Sequence, residues 1–214
     1  MARIARLKGN AVVKAAAPAE SNEMRLVEIA HAHVRQFGAA RVTVVRVAAE
    51  AGMTHANVYR YFPSKTALLD EVVAAWLKPL EAILREAADG ADPAADKLER
   101  MLGAIHADYR RKLDGDPALF DLLIEALEAN RGSARKHRAR VQSEIQRVVE
   151  DGVASGAFQM ADRRRAMALI FDAAHRFIHP VALRLDRELP AAAMAARFEA
   201  VTAIALRALR TGRL

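Results

Sequence analysis

The sequence contains no cysteine, a single tryptophan and few other aromatic residues. Without cysteine the protein forms no disulfide, no thiolate metal site and no cysteine nucleophile, so we expect a cytoplasmic protein. No uncharged apolar run reaches the length of about 18 residues that a transmembrane helix needs, so we expect no membrane span. Stretches that alternate β-branched with polar residues are also missing, whereas alanine is abundant. These features predict an all-α fold.

The sequence also lacks the short motifs of common enzymes, such as a glycine-rich phosphate loop, a nucleophile elbow or a His-Glu-x-x-His helix. His175 and His179 are four residues apart and could share a metal on one helix face, but only Asp172 is near as a third ligand. We therefore favour structural or pocket-lining histidines and predict no metal, no cofactor and no catalysis. A helical enzyme would need a polar pocket with strongly perturbed carboxylates or histidines.

Breaks at glycine and proline organise the 214 residues. They separate a flexible basic arm over 1–20, a small three-helix domain over 21–68 and a larger helical domain over 69–214. Pro79 is expected to interrupt or bend the helix that begins at Lys65. Together the periodic segments predict about nine helices. The five that follow this helix are expected at 94–113, 117–130, 133–155, 162–185 and 190–210.

Positive charge is concentrated at the start of the chain. The net charge at neutral pH is +7, and residues 1–70 carry ten Lys or Arg against five Asp or Glu. Because Lys and Arg contacts to phosphates supply most non-specific DNA affinity, this is where a DNA-binding surface would need its excess charge.

The segment from Thr43 to Lys65, TVVRVAAEAGMTHANVYRYFPSK, is the most informative of the chain. Small alanines allow two helices to approach closely, Gly52 can end the first at positive φ, and Thr54 can cap the second. The second helix then carries a high density of hydrogen-bonding side chains. A helix-turn-helix explains this combination better than a buried helical hairpin, because its second helix presents polar groups to a DNA groove.

This segment closely resembles the tetracycline-repressor-like (TetR/AcrR) family of bacterial transcription regulators. The resemblance is carried by Val47-Ala48-Ala49-Glu50-Ala51-Gly52-Met53, by Val58-Tyr59-Arg60-Tyr61-Phe62 and by Ser64-Lys65 with Leu68-Leu69. It covers about residues 22–72, and the rest matches in helix count and length. The resemblance implies a helix-turn-helix head on a larger helical bundle that binds an effector and forms the dimer.

The resemblance also implies DNA contacts. Thr43 would cap its helix while its hydroxyl meets a phosphate, and Lys65 resembles a phosphate-binding lysine. Asn57 would pair with adenine, Arg60 with guanine or a phosphate, and Ala56 would contact a thymine methyl or simply permit close approach. A solvated surface role is the alternative for His55 and Arg60. The implied DNA-contacting residues are Thr43, Thr54, His55, Ala56, Asn57, Tyr59, Arg60, Tyr61 and Lys65.

Val45 departs from the family pattern, because the position is often polar in relatives. The first helix of the motif is therefore expected to contribute little base reading.

Rings in the larger domain supply either a small-molecule pocket or plain core. The candidate pocket residues are Tyr109, Phe120, Phe171, His175 and Phe177. A basic run at Arg131, Arg135, Lys136, Arg138 and Arg140 is either a solvated face, a site for an acidic effector or an added DNA contact. Apolar stripes on the last two predicted helices are expected to form the homodimer, which would place two recognition helices on one face of DNA.

These expectations combine into a ligand-responsive transcriptional regulator, most simply a repressor. It would bind a palindromic double-stranded DNA operator as a homodimer and be released by a small-molecule effector. The alternative is an effector-independent architectural or protein-partnered DNA-binding protein. The basic arm over 1–20 either touches DNA or has no role.

Overall fold

The computed structural model describes residues 19–160 and 162–213 of the chain. Within these residues all regular structure is helical: ten α-helices, and one 3₁₀ turn at Ala39–Arg41. The helices are α1 (Ala19–Phe37), α2 (Val44–Glu50), α3 (His55–Tyr61), α4 (Lys65–Asp89), α5 (Ala94–Gly115), α6 (Pro117–Glu128), α7 (Gly132–Ala154), α8 (Arg163–Ile178), α9 (Pro180–Leu185) and α10 (Ala191–Thr211).

The predicted all-α fold with about nine helices is confirmed. One expected helix, 162–185, is divided into α8 and α9 because His179 has an extended backbone, with ψ of 124°. A residue that precedes proline is disfavoured in the helical region, so Pro180 ends α8 and then starts α9 at its first position. The first helix begins at Ala19, which takes in the last two residues of the predicted arm. The rest of that arm lies outside the described residues.

The head consists of α1, α2 and α3 around a small apolar core. Leu26 and Val34 of α1, Val47 of α2 and Val58 of α3 are each fully buried. The spacing of these residues follows the helical repeat, so each helix turns one stripe inward and leaves its other face to solvent.

Helix α4 connects the head to the larger domain, which we call the body. Ser64 caps it by accepting a hydrogen bond from the Ala67 backbone N–H at 3.0 Å. The helix contacts α1 of the head and both α5 and α7 of the body. Pro79 lies inside α4 without ending it, contrary to the expected interruption. One continuous helix therefore runs from the head into the body.

In the body α5, α6 and α7 pack against α4, α8 packs against α5 and α7, and α10 lies against α8. The head also contacts the body directly. Arg35 of α1 pairs with Asp116 at the junction of α5 and α6, at 2.5 Å, and α1 packs against α6. Within the body, the Lys112 ammonium of α5 lies 5.0 Å from the centre of the Trp76 ring on α4. The body is therefore tied to the head by more than the connecting helix.

Candidate nucleic-acid interface and ligand cavity

The turn between α2 and α3 is built as its sequence predicts. Gly52 has a φ of 69°, and its N–H donates to the Ala49 carbonyl at 3.1 Å. The Met53 N–H donates to the Ala48 carbonyl at 2.9 Å, which completes a Schellman end to α2. The Thr54 hydroxyl then accepts from the Asn57 N–H at 3.3 Å and caps α3. These bonds fix the angle at which α3 leaves the turn.

Helix α3 is anchored by one fully buried side chain, and its residues from His55 to Arg60 other than Val58 are exposed. Val58 is fully buried, whereas Tyr59 is 46% exposed. The His55 and Tyr59 rings meet edge to face, with centroids 5.8 Å apart. The remaining exposed side chains of this surface are those of Thr54, Ala56, Asn57 and Arg60. A short helix held from behind by one apolar residue can enter a groove without disturbing the head core.

Two predicted DNA contacts are half-buried and already bonded within the head. The Lys65 ammonium donates to the Ala40 carbonyl at 3.0 Å, and the Tyr61 hydroxyl accepts from the Asn22 amide at 3.4 Å. An ammonium has three N–H donors and a phenol keeps its own, so both side chains retain a donor for a phosphate. These bonds also fasten the start of α4 and the end of α3 to the rest of the head.

The exposed face of α2 has one apolar and one basic residue beside Thr43. Thr43 caps α2, since its hydroxyl accepts from the Arg46 N–H at 3.3 Å. Val45 is 62% exposed and offers no hydrogen bond to a base edge. The Arg46 guanidinium lies over the Phe37 ring, 5.1 Å from its centre. Sequence reasoning missed Arg46, although a basic residue three positions after a capping threonine was visible.

The body contains a cavity of about 200 Å³ between α5, α6, α7 and the end of α8. Three of the five candidate pocket residues line it: Tyr109, Phe171 and His175. Five of the remaining lining residues are aliphatic, Ile105, Leu123, Leu127, Val141 and Ile178, and five others are polar, His137, Arg138, Gln142, Asp172 and His179. This mixture of apolar wall and a few polar tips is typical of small-molecule sites.

Phe120 and Phe177 do not line this cavity, so both need correction as candidate pocket residues. Phe120 is fully buried and packs edge to face on the Tyr109 ring. Phe177 packs against His106 and Phe198. It follows Phe171 by six residues, which places it about 240° around the helix, on the opposite side.

A buried polar network passes from the cavity wall to α4. The Tyr109 hydroxyl and the His137 Nε2 are 2.8 Å apart, and His137 Nδ1 is 2.8 Å from a Glu81 oxygen. The other Glu81 oxygen accepts from Arg140 at 2.7 Å. Burial alone would raise the pKa of Glu81, but the hydrogen bonds and charges of His137 and Arg140 lower it below its usual range.

The proton positions in this network follow from the ionised carboxylate. Glu81 can only accept, so His137 donates through Nδ1. When the imidazole is neutral, Nε2 is an acceptor and the Tyr109 hydroxyl donates to it; when the imidazole carries the charge that lowers the pKa of Glu81, Nε2 donates to the Tyr109 oxygen instead. Burial, with Asp108 and Glu81 nearby, raises the pKa of Tyr109, which keeps this proton in place. The network was missed from the sequence, although Glu81 is a lone carboxylate among the apolar positions of α4.

Two further histidines and an arginine line the cavity. The His175 and His179 rings are stacked, with centroids 4.6 Å apart, and Arg138 lines the same wall. The pKa of His179 is lowered, mainly by burial and then by the charges of His175 and Arg138. Nδ1 of His179 is buried with no hydrogen-bond partner among the described residues. Across 19–160 and 162–213, no group of three or more His, Cys, Asp or Glu is arranged to hold a metal ion.

The basic run on α7 does not act as one surface. Arg131 is mostly buried and pairs with Asp70 of α4 at 3.4 Å, while Arg140 pairs with Glu81. Arg135 and Lys136 are exposed, and Arg138 borders the cavity. Two of the five basic residues therefore hold α7 against α4.

In the described part of the chain, no helix has the length and apolar character needed to cross a membrane.

Comparison with known proteins identifies the family of the chain. The pattern described as "Bacterial regulatory proteins, tetR family" matches residues 26–72, which include the whole capped turn and α3. The pattern described as "Tetracyclin repressor-like, C-terminal domain" matches residues 94–202, about half of the chain. The chain belongs to the tetracycline-repressor family. It is therefore a helix-turn-helix transcription regulator, with the fold of non-enzymatic DNA-binding proteins.

Individual relatives are distant in sequence. YhgD of Bacillus subtilis, an uncharacterized helix-turn-helix transcriptional regulator, is 28% identical over 156 residues, which span 69% of this chain and 81% of YhgD. A TetR/AcrR-family regulator from Thermobifida fusca has a TM-score of 0.62 at 20% identity, over 89% of this chain and 99% of its own. RolR in complex with resorcinol has a TM-score of 0.61 at 18% identity, over 89% and 88%. At these identities the two structures share the fold.

Proposed function

We propose that this regulator is a homodimeric repressor that binds a palindromic operator and is released by a small-molecule effector. The observation that supports DNA reading most directly is the capped α3, which holds Val58 in the core and exposes His55, Ala56, Asn57, Tyr59 and Arg60. We assign DNA binding to residues 21–68, and effector binding and dimerisation to 69–214. Because it acts on genomic DNA, it would work in the cytoplasm.

On this proposal α3 lies in the major groove. Asn57 pairs with adenine, Arg60 with guanine or a phosphate, and Ala56 lies against a thymine methyl. The hydroxyls of Thr43 and Thr54 are at helix N-termini, where phosphates are bound favourably. His55, Tyr59, Tyr61 and Lys65 extend the surface to the backbone on either side. We add Arg46 to this set, because its guanidinium is exposed beside Thr43.

The dimer would form through α8 and α10. One exposed face of α10 has alanines three or four residues apart, at Ala193, Ala196, Ala200 and Ala203, followed by Ile204, which is 67% exposed. Small residues at helical spacing let a second helix approach closely. A two-fold axis along this face would pair each α3 with its symmetry mate on one side of the duplex.

Effector release would use the buried network. The cavity wall includes Tyr109 and His137, and His137 is bonded to Glu81 on the helix that begins at Lys65. The two positions of α4 would correspond to two spacings of the heads. An effector that binds one position more tightly shifts the equilibrium between these spacings, and the size of that shift is set by the difference in affinity. RolR, which shares this fold, was solved with resorcinol bound, and this supports a small-molecule ligand here.

The DNA-reading surface can be tested by a binding selection. Random duplex fragments are mixed with the purified protein, and the fragments that it binds are recovered and sequenced. We expect a palindrome whose half-sites are about one helical turn apart. Asn57→Ala should then weaken binding to the selected operator about 5- to 150-fold, since a lost base contact is worth about 1–3 kcal/mol. Tyr59→Ala should also weaken it, through the loss of a backbone contact that positions α3. Lys136→Gln, on the exposed face of α7, is the matched control. Unchanged specific affinity in both head variants would reject the assigned surface.

A further inference from the structure

The size of the body cavity limits what it can hold. An apolar cavity of about 150 Å³ is known to accommodate benzene. By the same measure, the cavity of about 200 Å³ holds one ring, or a short chain, with about three further non-hydrogen atoms. A ligand of about nine non-hydrogen atoms therefore fills it without displacing the wall.

The charge around the cavity is uneven. Among the polar residues of the lining, Tyr109 and His137 are already committed to each other, and His137 also to Glu81. Arg138, His175 and His179 stand against a single carboxylate, that of Asp172. Arg138 forms no ion pair with another described residue, and Nδ1 of His179 is buried without a partner. The lining thus contains unused hydrogen-bonding capacity next to the positive charge of Arg138, a side chain that borders the cavity and is also exposed to solvent.

An anionic group uses this capacity best. A carboxylate can accept from the arginine fork and from an imidazole N–H at once, and such charge-assisted bonds are the stronger kind. An ammonium ion placed there would meet Arg138 directly and have only Asp172 as a partner. An apolar ligand would leave the buried nitrogen of His179 unpaired, which costs free energy, and a neutral hydroxyl could pair with that nitrogen but would form no charge-assisted bond with Arg138.

We propose that the effector is a small monocarboxylate, with its apolar body between Leu123, Val141 and Phe171 and its carboxylate on Arg138 and His179. This inference rests on the proposed effector role of the cavity. The lowered pKa of His179 is consistent with it, because neighbouring positive charge is part of what lowers it and an anion would offset that charge.

Calorimetry on the purified full-length protein without DNA tests this directly. The probes are benzoate, benzyl alcohol and benzylamine, together with hexanoate and hexanol. We expect at least one carboxylate to bind at least tenfold more tightly than its neutral counterpart, and benzylamine to bind most weakly of the ring compounds. The same order should appear in thermal unfolding, since a ligand that binds only the folded state raises its stability.

Two variants on one helix decide where the carboxylate binds. Arg138→Gln should remove the tenfold preference, whereas Arg135→Gln, exposed on α7 outside the cavity, should keep it. His179→Gln is a milder second variant and should reduce the preference in part. The proposal is overturned if neither carboxylate binds better than its alcohol, or if Arg138→Gln leaves the preference unchanged. Operator binding is measured separately on the same samples. If the wild-type protein binds no operator, the proposed regulator function is rejected, whereas the measured preference for carboxylates remains valid.

Discussion

Glu81 gives the sharpest test of how the body is held together. Its side chain is almost fully buried on α4 and accepts hydrogen bonds from His137 and from Arg140 of α7. Glu81→Ala leaves both donors without an acceptor. Removing one partner of a buried ion pair typically costs about 3–5 kcal/mol. The Arg140 side chain is half exposed and can be rehydrated, so we expect the low end, about 3 kcal/mol.

Glu81→Gln should be much milder, for a reason specific to histidine. The amide oxygen can accept from Arg140 while the amide N–H donates to Nδ1 of His137, if the imidazole moves its own proton to Nε2. Nε2 then donates to the Tyr109 oxygen, so each side chain keeps a partner, although the Tyr109 O–H loses its acceptor. The remaining loss comes from the missing charge on the hydrogen bonds and from this one donor, about 1 kcal/mol.

These costs convert into melting temperatures. For a chain of this size 1 kcal/mol shifts Tm by about 2–4 °C. We expect a fall of about 6–12 °C for Glu81→Ala and about 2–4 °C for Glu81→Gln, measured by calorimetry at pH 7.5. Asp89→Asn is the control, because Asp89 pairs with Arg147 at an exposed site, where ion pairs are worth less than about 1 kcal/mol.

The pH dependence gives an independent check. The pKa of Glu81 is lowered in the folded state, so its contribution is present above the unfolded value of 4.5 and is lost as pH falls through the folded value. The wild-type protein should therefore lose more stability than Glu81→Gln between neutral pH and pH 3. Equal Tm values for the alanine and glutamine variants, or parallel pH profiles, would refute the hydrogen-bond assignment.

Three further predictions concern backbone and surface. Gly52→Ala should destabilise the protein by about 1–2 kcal/mol, measured by chemical denaturation, because φ is positive there. Gly152→Ala should cost about 1–3 kcal/mol because its Cβ would overlap the Phe158 ring, whereas Gly103→Ala, with open space around it, should stabilise α5 by about 0.5–1 kcal/mol. Ala200→Arg on the exposed face of α10 should yield a monomer in sedimentation and weaken operator binding by about a hundredfold or more; a stable dimer would exclude the proposed interface.

The head could be predicted from the sequence because its signals are local. A capping threonine, a glycine at positive φ and a second capping threonine lie within twelve residues, and each acts on its own neighbours. The body could be predicted only as a set of helices. Whether Phe120 lies at a cavity or in the core depends on how four helices pack, and no local pattern encodes that packing.

The break at His179 shows a local signal that was overlooked. The residue before a proline is disfavoured in a helix, so Pro180 was sufficient to divide 162–185. By contrast, Pro79 stands in a helix that continues past it, since α4 is buried on both sides of that point and packing outweighs one missing hydrogen bond. Similar sequence signals thus gave opposite outcomes, and tertiary packing decided between them.

The position of Glu81 also bears on how a ligand signal would reach DNA. Sixteen residues of one continuous helix separate it from Lys65, which spans about 24 Å. The Lys65 ammonium is bonded to the head at Ala40, so displacement of α4 at Glu81 is passed to the head through a rigid element. Glu81 itself belongs neither to the proposed reading surface nor to the cavity wall. Glu81→Gln should therefore leave operator affinity and carboxylate affinity each within about threefold of the wild-type values. It should reduce the factor by which a bound carboxylate weakens operator binding. Such a coupling between two sites is typically worth about 1–3 kcal/mol. Operator titrations with and without benzoate or hexanoate, for wild type and variant, measure that factor directly. An unchanged factor in Glu81→Gln would mean that the signal reaches α4 by contacts other than the His137–Glu81 hydrogen bond.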